Sequence, residues 1–341
     1  MTIGFRPSRS VIVWLFTGIL LILVMVSIGG LTRLTHSGLS MVNWTFTGSL
    51  PPINDVEWQT EFENYKSSPE FIEIHNHFGL DDFKSIFWWE YIHRMFGRAI
   101  GLVFIFPFIF FLFRKNIPRE MLPQFLTILG LGAFQALLGW FMVKSGLVDV
   151  PRVSHYRLSA HLTTAFITCG YIFWVLLNYL DFGNLTRQKH RNTKMILGLL
   201  VLLVTQIIFG GFVAGLRAGW VHNTWPLMDG SLIAQSVFAL DPVWLNFLEG
   251  KSGVQFIHRT LGLIVLVLSF AVTWKSFHSN EKRIKAPTIM LGVAVLIQVV
   301  LGVLTLVLHV PISLAVVHQV FALVTLLSGV WLFHRSRFIL E

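Results

Sequence analysis

The chain has 341 residues, of which 54% are hydrophobic and 14% aromatic but only 13% charged, and its mean hydropathy is +0.69. That composition excludes an ordinary soluble domain and is that of an integral membrane protein. The net charge of +9 does not point to nucleic acid, because the basic residues sit in short clusters between long apolar runs rather than along an aromatic-interleaved polar surface.

The opening segment MTIGFRPSRS lacks the amphipathic pattern of a transit peptide, and the apolar run behind it has no small-residue cleavage site. Residues 11–31 therefore read as a retained first transmembrane helix. A long loop, 32–89, follows, rich in Asp and Glu. Further apolar windows near the roughly 20 residues needed to span lie at 91–113, 122–143, 157–180, 195–215, 255–274, 287–308 and 313–333. Eight spans predict an all-α integral membrane protein with both termini on one side. Placing the N-terminus in the cytoplasm puts 15 of the 26 Lys and Arg in short cytoplasmic segments: Arg6 and Arg9; Arg114, Lys115 and Arg119; Arg187, Lys189, Arg191 and Lys194; Lys275, Lys282, Arg283 and Lys285; Arg335 and Arg337. The acidic 32–89 loop then lies outside, as the positive-inside rule expects. The single cysteine, Cys169, falls within an apolar span, which leaves any metal to His, Met or carboxylate ligands.

The chain repeats itself. IGGLTRLTHSGLSMVNW (28–44) aligns with FGGFVAGLRAGWVHNTW (209–225), keeping Gly29/Gly210, Gly30/Gly211, Gly38/Gly219 and Trp44/Trp225. EYIHRMFG (90–97) aligns with QFIHRTLG (255–262), QALLG (135–139) with QVVLG (298–302), and the last helices of the halves align around His161 and His318. The expected organisation is two pseudo-symmetric four-helix bundles, residues 1–185 and 186–341, related by an axis along the membrane normal. His-Arg heads the second helix in both halves, but Glu90 in the first half faces Gln255 in the second.

His93, His161, His258 and His318 all lie on spans running the same way. They precede the inner boundary residues Arg114, Asp181, Lys275 and Arg335 by 21, 20, 17 and 17 positions. At about 1.5 Å of rise per residue, the members of each pair, His93/His161 and His258/His318, differ in depth by about 1–2 Å. Two imidazoles at one depth can ligate a metal axially, whereas a single His at such a place is as well read as a hydrogen-bonded interfacial group. Tetrahedral zinc usually needs more ligands than two His, and no cysteine is at hand. Haem iron needs one or two axial ligands, and an apolar four-helix bundle is a natural container for a porphyrin. Arg94 and Arg259 follow His93 and His258 directly and suit either haem propionates or lipid headgroups.

GGLTRLTHSGLSMVNW, EYIHRMFGRAIG, GWFMVKSGL, VSHYRLSAHL, GGFVAGLRAGWVHNTWPLM and FIHRTLG together resemble the haem A synthases over nearly the whole chain. The resemblance implies an eight-helix membrane enzyme that oxidises the C8 methyl group of haem O to the formyl group of haem A for haem-copper oxidases. It implies that His258 and His318 ligate a permanent haem b and that His93 and His161 hold the substrate haem O. Glu90 matches the acid of the family's EXXHR motif. It further implies a bacterial inner (plasma) membrane location, a haem O synthase as supplier and a ferredoxin-like or quinol electron donor; a homo-oligomer stays open. The first outer loop lacks the cysteine pair of several bacterial members, so the chain resembles the cysteine-free group.

On a helix Glu90 and His93 share a face at i, i+3. The carboxylate is then placed to stabilise positive charge at the reacting methyl carbon or to accept a proton. An ion pair with Arg94 at i, i+4 is the plain alternative. A di-haem b-type cytochrome that passes electrons without altering either haem needs the same four His but gives no reason for an acid confined to one half. A transporter or haem chaperone is disfavoured because the spans lack the Gly/Pro-interrupted midplane helices expected of alternating access, Pro107 being the clearest mid-span proline.

Overall fold

The computed structural model describes residues 6–43, 48, 50–146, 153–183, 185–187, 190–278 and 281–340; Trp44, Leu147 and Lys189, used above, lie outside them. In chain order the elements are α1 (Arg9–Leu34), α2 (Asp55–Lys66), α3 (Leu80–Phe113), α4 (Leu122–Gly146), α5 (His155–Leu180), β1 (Leu185–Arg187), α6 (Thr193–Leu216), α7 (Lys251–Phe277), α8 (Lys282–Val307), α9 (Ile312–Arg337) and β2 (Phe338–Leu340). All but α2 among the helices are long and apolar enough to cross a membrane, which makes the chain a multi-pass, all-α membrane protein. Backbone polar groups of the spans are satisfied within each helix, the condition a bilayer imposes. Large apolar side chains such as Phe106, Val201, Val267 and Phe270 point outward, as lipid contact requires.

Neighbouring helices close two rings. In one, α1 packs on α3, α3 on α4, α4 on α5 and α5 back on α1; in the other, α6, α7, α8 and α9 do the same. The rings meet where α1 and α5 touch α9 and α5 touches α6. Polar ties fasten each end of the bundle. At one end the Ser8 amide donates to Tyr179 Oη (3.1 Å), Tyr179 donates to the Asn116 carbonyl (2.8 Å), Arg335 pairs with Asp181 (2.8 Å), and β1 pairs antiparallel with β2. At the other end Arg33 donates to the Ala214 carbonyl (2.8 Å), and His155 Nε2 bonds the Leu248 carbonyl (2.9 Å).

Two features depart from the sequence expectation. The second span begins at Leu80 rather than at residue 91, so Glu90, His93 and Arg94 sit about three turns inside α3 and not at its head. A carboxylate that far along gains nothing from the helix dipole, which acts within the first turn. The cause is the segment 80–89, whose Asp81, Asp82 and Lys84 keep it out of an apolar window while Phe83, Ile86 and Phe87 are buried. The second feature is α2, inside what reads as a plain loop. Asn54 accepts from the Glu57 amide (2.9 Å), and Glu57 reaches back to the Ile53 amide (2.8 Å) and to Asn54 Nδ2 (2.8 Å), which fixes the helix start. Trp58, Phe62 and Tyr65, on one face, then pack on Phe83 and Phe87 of α3. Each ring removed from water contributes about 1.5–3 kcal/mol, which holds this cap onto the extended α3.

Candidate functional site

All four histidines meet the same neighbour, a glycine on the preceding spanning helix. A Cβ placed on Gly29, Gly139, Gly210 or Gly302 would lie 3.5, 3.0, 3.2 or 2.9 Å from Cε1 of His93, His161, His258 or His318, respectively. At Gly139, Gly210 and Gly302 only a residue without a side chain lets the ring lie so close to the neighbouring backbone, while Gly29 leaves room for an ordinary contact. His93 and His161, on α3 and α5, make one pair, and His258 and His318, on α7 and α9, make the other. The first pair sits in the α1–α3–α4–α5 ring and the second in the α6–α9 ring.

Three glutamines complete the surroundings. Gln135, Gln206 and Gln298 each stand one turn before the cradle glycine, and each donates Nε2 to the backbone carbonyl of its histidine, His161, His258 and His318, at 2.9, 3.0 and 3.0 Å. Their Oε1 atoms are buried without a partner, as are Nδ1 of His258 and of His318. Met25 holds the corresponding position four residues before Gly29, its Cε lying 3.4 Å from where a Cβ on Gly97, one turn beyond His93 on α3, would be. Sequence reading paired QALLG with QVVLG but overlooked QIIFG (206–210) and the meaning of the Q-x-x-x-G spacing.

Glu90 is buried, and both its carboxylate oxygens are engaged. Oε2 accepts from Ser40 Oγ (2.6 Å) and from the Met41 amide (2.8 Å), while Oε1 pairs with Arg94, which also donates to the Met41 carbonyl (3.2 Å). The ion pair weighed as the plain alternative thus exists, and Ser40 and Met41 are partners the sequence did not reveal. At the aligned place in the second ring, Gln255 Nε2 donates to the carbonyls of Ala218 (2.8 Å) and His222 (3.3 Å), and Arg259 donates to the His222 carbonyl (2.6 Å). Acid and amide match the loops they meet: the loop at Glu90 presents donors, and the loop at Gln255 presents acceptors. Arg259 Nε remains buried without a partner, and Arg94, Arg98, Asn43 and Tyr91 line a small pocket beside Met41.

The α2 cap carries a second buried acid close to Glu90. Tyr65 Oη donates to Glu70 Oε2 (3.1 Å) and lies 2.7 Å from His75 Nδ1. Burial, reinforced by the Glu90 charge, pushes the Glu70 carboxyl up to about 8, while burial lowers His75. A carboxyl raised above its unfolded value of 4.5 gives its full stabilisation below that pH and loses it as pH climbs toward 8. The melting temperature of the detergent-solubilised protein should therefore fall between about pH 4.5 and 8, and Glu70→Gln should flatten that fall; parallel curves for the two proteins would refute the assignment.

The arrangement offers two pairs of imidazoles and, among the described residues, no group of three or more His, Cys, Asp or Glu that could hold a bare ion. Paired neutral nitrogen donors with no third protein ligand suit a metal whose remaining positions a macrocycle fills. The glycine cradles, the orphaned Nδ1 atoms and the orphaned amide oxygens fit such a group.

Comparison with known proteins agrees in extent and in kind. Residues 12–330 match the model of a family described as cytochrome oxidase assembly protein. A haem A synthase of Flavobacterium psychrophilum is 47% identical over 338 residues, covering 97% of this chain and 99% of that protein. Haem A synthases of Flavobacterium johnsoniae (46%, 97% and 98% covered) and of a Wolbachia from Brugia malayi (42%, 95% and 96%) align over the same extent. Matched along nearly its whole length by the family model and by these enzymes, the chain belongs to the cytochrome oxidase assembly protein family.

Proposed function

We propose that the chain is a haem A synthase, a membrane oxidoreductase that converts the C8 methyl group of haem O to a formyl group by two successive hydroxylations and loss of water. The observation that carries this reading is the pair of histidine sites that differ by one acid, Glu90 against Gln255, within a chain 47% identical to a haem A synthase. His93 and His161, in residues 1–185, would hold the substrate haem; His258 and His318, in residues 186–341, would hold a resident haem b. When bound, that haem supplies a one-electron carrier beside the substrate. The protein's own part is to fix both rings, keep water out and set charge at the reacting edge.

Glu90 lies one turn from His93 on α3, so its carboxylate faces the same side as the imidazole. An ionised carboxylate has about four acceptor sites, and three are taken by Ser40, Met41 and Arg94. That occupancy supports stabilisation of positive charge at the methyl carbon over proton removal, because the donors hold the carboxylate in place as a fixed acceptor. Arg94 and Arg259 also brace the outer loops; the buried, unpartnered Nε of Arg259 supports a further acceptor there, such as a propionate. The di-haem cytochrome reading would leave Glu90 without a task in one site only. The basic helix ends gathered opposite the α2 cap support both termini facing the cytoplasm of a bacterium with the cap outside.

Haem extracted from membranes that contain the chain and are supplied with haem O should carry the formyl group by mass spectrometry. Unconsumed haem O, with haem b alone accompanying it under oxygen and reductant, would leave only the cytochrome reading. His258→Ala and His318→Ala should each remove the resident haem from the purified protein.

A further inference from the structure

The histidines are not held alike. His161, His258 and His318 each carry an amide clamped across the ring: Gln135 Nε2 lies 3.1 Å from His161 Nδ1 and 3.3 Å from Nε2, while Gln206 and Gln298 Nε2 lie 3.5 Å from His258 and His318 Nε2. Each amide is anchored on the histidine's own carbonyl, and its Oε1 is left as an unpaired buried acceptor. A histidine that ligates a metal through one ring nitrogen usually gives its other N–H to such an acceptor, which fixes the ring and raises its basicity. In the structure that bond is not made, since Nδ1 of His258 and of His318 is buried without a partner; what holds each ring is the amide nitrogen that lies over it, anchored on the histidine's own carbonyl. His93 has none of this. Met25, a thioether, stands where the other three helices put Gln; the ring makes no hydrogen bond among the described residues; and its cradle contact, at 3.5 Å, is the loosest of the four.

We propose that Gln135, Gln206 and Gln298 are positioning residues that lock the imidazoles of His161, His258 and His318, and that Met25 leaves His93 unlocked. The substrate haem is then gripped from the His161 side and released from the His93 side, while the second site, locked on both sides, keeps its haem. This rests on the ligand assignment proposed above. The asymmetry gives a reason why two sites of the same construction serve one exchangeable and one permanent occupant: a yielding ligand lowers the barrier to exchange, and two locked ligands raise it.

The test is haem transfer from the purified full-length protein to excess apomyoglobin, followed by absorbance. Gln206→Met and Gln298→Met copy the natural Met25 arrangement, so the packing is one the fold already accepts. Each should release the resident haem about 10–100-fold faster than the unmodified protein, the usual cost of removing such a partner, and should alter the low-spin spectrum. Met25→Gln, loaded with haem O, should release it about tenfold more slowly. Gln135→Met should release it faster and covers the case in which Met25→Gln fails to fold. Unchanged release from Gln206→Met and Gln298→Met would overturn the proposal even if His258→Ala and His318→Ala empty the site. Haem retained by those two alanine variants would instead overturn the ligand assignment itself.

Discussion

Glu90→Gln should abolish haem A formation while leaving the chain folded and both haems bound. The carboxylate is the acid beside the first histidine pair for which the second site has the neutral Gln255, and its loss removes the fixed negative charge proposed to face the methyl carbon. Loss of one pre-positioned electrostatic stabiliser of this kind costs about 10²–10³ in rate. The substitution also has a structural side. A Gln at 90 must turn its NH₂ toward either Arg94 or the Met41 amide, all of them donors, and one buried donor left without an acceptor costs about 1–3 kcal/mol. Ser40→Ala separates the two effects, because it removes one bond to the carboxylate and keeps the charge. It should cost about 1 kcal/mol of stability and leave haem A formation within a few-fold of normal. The ratio of haem A to haem O extracted from membranes reads both variants. Full haem A production by Glu90→Gln would reduce Glu90 to a tie between α3 and the outer loop.

Much of the scaffold was legible because a bilayer restricts the choices. Seven of the spans begin and end within about five residues of their apolar windows. The exception, α3, shows where hydropathy stops informing: its first ten residues leave the apolar layer and are held by aromatic packing on α2, a contact between segments that no single window contains. The start of α2 was nonetheless written locally, in the Asn54–Glu57 capping pattern and in the spacing of Trp58, Phe62 and Tyr65. The proposed pairing of His93 with His161 and of His258 with His318 rests on counting residues along parallel spans, since depth in a helix is linear in sequence. What counting could not supply was the lateral neighbourhood. Which glycine lies under which ring, and that Ser40 and Met41 close on Glu90, depend on helix rotation and loop path. Q-x-x-x-G at 135, 206 and 298, with Met25 in the fourth place, was a readable trace of that neighbourhood. Its meaning needed the carbonyl contacts of the structure.

The glycine cradles make a graded prediction, because the four clearances differ. Alanine at Gly302 or Gly139 would bring Cβ to 2.9 or 3.0 Å of the His318 or His161 ring, at Gly210 to 3.2 Å of His258, and at Gly29 to 3.5 Å of His93. The first two distances lie inside van der Waals contact, so the ring must tilt or the helices must part; the last is an ordinary contact. A tilted imidazole no longer directs its nitrogen along the line that ligation requires, and misdirected ligands lower metal affinity by about 10–100-fold. Within each site, haem retention should therefore fall further for Gly139→Ala than for Gly29→Ala, and further for Gly302→Ala than for Gly210→Ala, with Gly29→Ala near normal. Helix propensity acts in the opposite sense, since Ala is favoured over Gly in a helix by about 1 kcal/mol. The haem-free variants should accordingly melt no lower than the unmodified protein even where haem is lost. Equal retention by all four, or loss of haem together with collapse of the haem-free fold, would show that the glycines serve helix packing and not the rings.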